Sequence, residues 1–242
     1  MIPWDIRLAR VVARPLRHTP LTPNALTTLG LCSSLIAAWL MASGESLRVA
    51  LGGGFFMLGV FVDHLDGEFA RLTGLTSRFG HYYDHVAAGL GYVSLFTGLG
   101  IGLRAGWLGP WGPRAGALAA GSIAAIFLMR VFLEETAGKA MVAQGNWRGF
   151  EPEDTLYLVG PVTWLGLQAP FLVAAAVGTP IFLLWVVWCA VARRSATSLT
   201  AAGSPARRLT RAGSRPRLGR PDGDPLTVAE ARTEGHGERE GR

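Results

Sequence analysis

Asp63, Asp66 and Asp84 stand where carboxylates are expensive, beside the apolar stretches Val49 to Val62 and Val86 to Leu103. An acid at the edge of hydrocarbon carries a desolvation cost, so its presence there points to a task. On a helix, Asp63 and Asp66 are neighbours at i, i+3 with Ala70 one turn beyond on the same side, and Gly80 and Asp84 are related as i, i+4. If the segment Leu72 to Phe79 folds the two helices into a hairpin, the three carboxylates converge on a pocket of hard oxygen ligands. Such a pocket suits a divalent cation, Mg2+ or Mn2+. The competing reading is that these acids cap helices or pair with Arg71 and Arg78 at headgroup level.

The elements that would position them are membrane helices. The chain has 242 residues, of which 50% are hydrophobic and only 17% charged, and its mean hydropathy is +0.30, too apolar for soluble domains of this length. From Asn24 to Ser43 no residue is charged, a run that matches a bilayer core of about 30 Å. It reads as a retained anchor rather than a cleaved signal peptide. Val49 to Val62, Val86 to Leu103 and Ala115 to Met129 follow, and Thr155 to Ala192 is uncharged for long enough to hold two more spans. Their turn falls near Gln168-Ala169-Pro170 or, alternatively, at Gly178-Thr179-Pro180. The expectation is an all-α, polytopic fold with six transmembrane helices over residues 21–192.

Residues 1–20 read as a basic, amphipathic leader with Trp4, Ile6, Leu8, Val11 and Val12 set among arginines, suited to an anionic lipid surface. Residues 193–242 hold a net charge of +5 out of the chain's +6 and no aromatic residue, the composition of a disordered tail. A basic tail without an aromatic-interleaved face does not indicate nucleic acid, and Cys32 and Cys189 lack metal or disulfide spacing. Arginine and lysine favour one side of the predicted helices: the leader, then Arg71 and Arg78, then Lys139 and Arg148. The positive-inside rule therefore places both termini and the acidic cluster at the cytoplasmic face of the cell's inner membrane. Arg130, near the same end, reads as a side chain snorkelling to the headgroups.

The run Asp63-His64-Leu65-Asp66-Gly67-Glu68-Phe69-Ala70-Arg71, followed by eight residues, Gly80, three residues and Asp84, resembles the signature of the CDP-alcohol phosphotransferases. The likeness covers roughly residues 20–192, including the lead Thr22-Pro23-Asn24, and stops before the tail. It implies a membrane enzyme of phospholipid synthesis in which an acceptor hydroxyl attacks the phosphorus of a CDP-linked lipid or alcohol and CMP leaves. By the same resemblance Asp63, Asp66 and Asp84 hold the metal, Gly67 and Ala70 let the nucleotide lie against the helix, and Arg71 contacts its phosphates. Gly80 leaves room where the second and third helices cross, and a homodimer is expected.

One position departs from the family. Its signature ends in a further aspartate four residues after the third, the base that activates the acceptor, and here that residue is Ala88. His85 is the nearest substitute on a helix, about 4.5 Å along the axis and rotated about 60° from position 88, with a pKa suited to proton transfer near neutrality. His81, His64 and Glu68 are further candidates. Loss of the fourth carboxylate also predicts weakened metal binding. The alternatives to a transferase are a non-catalytic relative that binds nucleotide, metal or a membrane partner, and a small transporter, which would not need the glycine, alanine and arginine spacing.

Overall fold

The computed structural model describes residues 4–137 and 156–203. The chain divides into two units, Met1–Ala196 and Thr197–Arg242, and the first contains the site. All of its described regular structure is helical, and five helices are long and apolar enough to cross a membrane. The protein is accordingly a multi-pass membrane protein.

Helix α1 (Trp4–Leu16) is the amphipathic leader. Ala9 and Ala13, one turn apart, are fully buried with Leu26, Val62, Leu65 and Phe69, so α1 lies along the following helices. Helix α2 (Pro23–Ala42) starts where Thr22 caps it, its side chain accepting a hydrogen bond from the Ala25 N–H at 3.2 Å, with Pro23 in the first turn where no donor is needed. Helix α3 (Ser46–Thr73) has 28 residues, about 42 Å at 1.5 Å per residue, well beyond a hydrocarbon core of about 30 Å. Its last turns, which carry Asp63 to Arg71, therefore reach the interface instead of ending in lipid. It stops at Gly74, whose φ of 72° is the left-handed conformation that glycine adopts without strain.

Helix α4 (Arg78–Gly102) is capped by Ser77, which accepts from the Gly80 N–H at 2.9 Å. Helix α5 (Trp111–Ala137) packs against it, and a short helix α6 (Val159–Trp164) packs on α3. Helix α7 (Gln168–Gly203) completes the set.

The packing is organised by α2, which contacts α3 and α4 extensively while those two scarcely touch each other. Small residues make this possible. A Cβ at Gly52 or Gly59 of α3 would run into α2, and so would one at Gly98 of α4, where it would fall on the Ala38 backbone. Ala87 with Gly91 and Gly98 with Gly102 form small-residue pairs at i, i+4 on α4, and a Cβ at Gly91, Gly98 or Gly102 would meet Ser34, Ala38 or Met41 of α2, so this small-residue stripe serves close helix contact, as its spacing predicts. Phe56, Leu95 and Leu99 fill the core with Met41, and the outward leucines, valines and tryptophans are left exposed for lipid.

The expected six helices become five among the described residues. Where the fifth was expected there is a six-residue helix, closed by a turn at Gly166 with φ of 71°. The turn thus lies just before Gln168, and Gly178-Thr179-Pro180 sits inside α7, which continues through Pro180. The helix also runs past the expected tail boundary at 193 to Gly203. Lys139 and Arg148, used for sidedness, and residues 204–242 of the tail lie outside the described residues.

Candidate functional site

Because α2 wedges α3 and α4 apart, the motif-bearing ends of those helices diverge, and the space between them is a cavity of about 920 Å3. The first turn of α2, the last turns of α3, the connection through Thr76 and Ser77, the first turns of α4 and the end of α5 enclose it. The N-termini of α2 and α4 both open into it through Pro23, Asn24, Ser77 and Arg78. Free backbone donors at such termini favour anions.

Six of the seven signature residues line this cavity: Asp66, Gly67, Ala70, Arg71, Gly80 and Asp84. Asp66 is nearly buried, and its carboxylate accepts a hydrogen bond of 2.5 Å from the Thr27 hydroxyl of α2. Asp63 is the exception. It borders a separate crevice of about 10 Å3 together with Ala88, and Thr27 is the residue that borders both spaces. The expected trio of acids is therefore two on the cavity wall and one behind it.

Arg71 is fixed from below. Its Nη2 donates to Glu68 Oε1 at 2.7 Å, and Glu68, 3% exposed, also accepts from Arg10 Nε of α1 at 3.0 Å. A Cβ at Gly67 would lie 3.6 Å from the Arg71 guanidinium, so that face of the helix is open to the cavity and to Arg71 only. Gly80 does not make room at a crossing of α3 and α4. A Cβ there would stand 3.1 Å from Ser77 Oγ and 3.2 Å from Asn24 Oδ1, so the space it preserves is against α2.

The candidate bases separate. His85 is not on the cavity wall: its Nδ1–H donates to the His81 carbonyl at 3.0 Å, and its ring stacks at a tilt on His81, with centroids 4.4 Å apart. Its Nδ1 is 3.8 Å from Asp84 Oδ2. His81 does line the cavity and contacts Glu134 Oε1 of α5 through Nε2 at 2.9 Å. His64 is turned to α1, 2.8 Å from buried Asp5 and 3.1 Å from the Tyr157 hydroxyl, and Glu68 is taken up by its two arginines. Ala88 packs against the apolar core beside the Asp63 crevice.

Among the cavity residues given no site role from sequence are Asn24 and Thr27 on α2 and Glu134 on α5, and Arg78, read from sequence as a headgroup-level partner of the acids, lines it too. Thr27 lies one turn beyond Pro23 in the Thr22-Pro23-Asn24 lead, which was a usable signal; Glu134 had none, since only the packing of α5 on α4 brings it near. Chemically, oxygen ligands on one wall suit a hard cation, while Arg71, Arg78 and two helix N-termini suit phosphate oxygens.

Residues 20–177 match the CDP-alcohol phosphatidyltransferase family model. The chain is 31% identical over 96 residues to archaetidylinositol phosphate synthase of Pyrococcus horikoshii, covering 40% of this chain and 50% of the relative. It is 35% identical over 95 residues to phosphatidylinositol phosphate synthase of Mycolicibacterium smegmatis, covering 39% and 41%. The matched stretch is thus half or less of each curated relative. Among solved structures, the Mycobacterium tuberculosis phosphatidylinositol phosphate synthase with CDP-DAG bound aligns with a TM-score of 0.56 at 23% identity, over 75% of this chain and 94% of that one. The same enzyme with manganese and citrate aligns with a TM-score of 0.55, also at 23% identity, over 74% and 88%. With six of the seven signature residues round one cavity at the ends of spanning helices and the family model matched over most of the membrane unit, the chain belongs to the CDP-alcohol phosphatidyltransferase family.

Proposed function

We propose that this protein is a membrane transferase that moves a phosphatidyl or phospho-alcohol group from a CDP-linked donor to a hydroxyl acceptor. The observation that carries the reading is the cavity itself, whose lining brings Asp66 and Asp84, with Glu134 and Glu135 of α5, together with Arg71, Arg78 and two helix N-termini. A CDP-linked donor presents a pyrophosphate, and its anionic oxygens match Arg71, Arg78 and the free N–H groups of α2 and α4. Gly67 and Ala70 leave the α3 wall low enough for the nucleotide to lie on it. Asp66 and Asp84, joined by Asp63 from the adjoining crevice, are the residues that would hold Mg2+ or Mn2+. The donor set fits: like charges on one wall repel, and an oxygen-rich site suits hard cations. The ion would neutralise charge on the pyrophosphate and on departing CMP.

The acceptor hydroxyl oxygen forms the new bond to phosphorus as the bond to the CMP oxygen breaks, and the hydroxyl proton is released. Ala88 offers no acceptor for that proton and the His85 ring is off the wall; of the candidate bases, His81 alone lines the cavity. The relatives that match are synthases, which leaves the non-catalytic alternative without support. Because both curated relatives are named for inositol phosphate products, a phosphorylated polyol is the acceptor class we assign first. The acid-bearing end faces the cytoplasm, on the strength of Arg71, Arg78 and the arginines of α1; α1 itself lies along the inner leaflet, and a homodimer within the membrane is part of this reading.

The test uses full-length protein in detergent with CDP-diacylglycerol, Mg2+ or Mn2+ and, separately, inositol phosphate, glycerol phosphate or serine. CMP release that depends on metal and on one acceptor, and is lost in Asp66→Asn and Asp84→Asn, is expected. Donor binding without CMP release under every acceptor would refute the transferase.

A further inference from the structure

Beside the oxygen-ligand wall lies a second cluster of different chemistry. His81 and His85 are one turn apart on α4, and Glu134 reaches them from α5. One ligand atom from each of these three residues lies within 4.8 Å of the other two, with His81 Nε2 and Glu134 Oε1 already 2.9 Å apart. We propose that His81, His85 and Glu134 form a binding site for a zinc-class divalent ion, separate from the carboxylate site of the transfer reaction.

The donor set decides the class of ion. Two imidazoles and one carboxylate are preferred by Zn2+ and its transition-metal neighbours, whereas Mg2+ prefers oxygen alone. The three-ligand count, two histidines and a glutamate, is that of zinc sites which keep an open fourth position. Ligand bonds of about 2.0–2.1 Å in a tetrahedron put donor atoms about 3.3 Å apart. The 2.9 Å contact must therefore open slightly, and no separation has to close by more than about 1.5 Å.

A second observation concerns the tautomer. The Nδ1–H of His85 is committed to the His81 carbonyl at 3.0 Å, which leaves the lone pair on Nε2. Ligating histidines are held in this way, their other ring nitrogen donating to a backbone carbonyl or carboxylate. The side chains are sheltered but reachable, 34% exposed for His81, 22% for His85 and 18% for Glu134. His81 and Glu134 both line the large cavity, so the open position points to whatever occupies it. With both histidines neutral, Zn2+ and Glu134 together add one net positive charge at that wall.

The experiment takes tag-free, full-length protein in detergent, stripped with chelator and titrated with Zn2+ in millimolar Mg2+. Expected is one zinc equivalent that survives the magnesium. Zinc-edge X-ray absorption on the wild-type complex should show imidazole scatterers at about 2.0–2.1 Å. His81→Gln and His85→Gln should each weaken binding at least tenfold, whereas Asp66→Asn should leave it in place. An all-oxygen first shell, zinc displaced by magnesium, or zinc affinity unchanged in both histidine variants would overturn the site and leave an ordinary histidine–glutamate contact. The absorption measurement decides the matter even where a variant fails to fold.

Discussion

Three glycines in three surroundings separate what holds the fold from what serves the site. Alanine is better than glycine in a helix interior by about 0.5–1 kcal/mol, because glycine loses more freedom on folding. At Gly121 of α5 nothing stands within 4 Å of a new Cβ, so Gly121→Ala should keep that gain and raise stability. At Gly98 the Cβ would meet the Ala38 carbonyl oxygen and stand 2.9 Å from its carbonyl carbon and Cα. Both helix backbones would have to part by about half an ångström, and overpacking of this kind costs about 1–3 kcal/mol. Set against the propensity gain, Gly98→Ala should lose up to about 2.5 kcal/mol net. Gly98 is about 27 Å along α4 from Gly80, so the surviving folded molecules should keep near-normal turnover. Gly80→Ala should do the reverse. Its Cβ meets two polar side-chain atoms at 3.1 and 3.2 Å that can give way, so the fold stands, but Asn24 and Ser77 are pushed in the cavity and CMP release falls. The assay is thermal unfolding in detergent beside CMP release per folded molecule. If Gly98→Ala were as stable as Gly121→Ala, the reasoning that α2 is clamped by glycine contacts would fail.

Thr27→Val keeps the shape of α2 but removes a hydrogen bond to a buried carboxylate worth about 1.5–3 kcal/mol; turnover should fall at least tenfold at saturating donor, and unchanged turnover would mean that Asp66 needs no such anchor. Arg71→Lys cannot hold Glu68 and a phosphate together as a planar fork does, so KM for the CDP-linked donor should rise about tenfold with kcat less affected. A kcat loss alone would place Arg71 elsewhere in the reaction. Ala88→Asp puts a carboxylate beside Asp63 at the crevice, and the metal concentration for half-maximal CMP release should drop severalfold. No change would remove position 88 from the metal centre.

Much of this protein follows from local pattern. Uncharged apolar runs of 14 to 20 residues mark α2 to α5, and the spacing from Asp63 to Asp84 is enough to place the site at the ends of α3 and α4, because i, i+3 and i, i+4 relations are fixed by helix geometry alone. The same holds for the small-residue stripe of α4. The split of Thr155 to Ala192 was not determined, since an apolar run carries no information on where a turn falls. Gln168-Ala169-Pro170 and Gly178-Thr179-Pro180 both offer a break until packing selects one, and the turn falls at Gly166, just before the first.

Relations between helices were decided only by the tertiary structure. The sequence suggests that α3 and α4 form a hairpin on which three acids converge; Asp66 and Asp84 do share one cavity, but α2 packs between the two helices, because glycines on both sides admit it. That wedge opens the cavity, brings Thr27 onto Asp66 and turns Asp63 with Ala88 into a separate crevice. Glu134 meets His81, and Arg10 meets Glu68, across 53 and 58 residues of chain. Periodicity describes which face a residue takes on its own helix. Which neighbour that face meets depends on how closely whole helices can approach, and that is a property of the packed molecule.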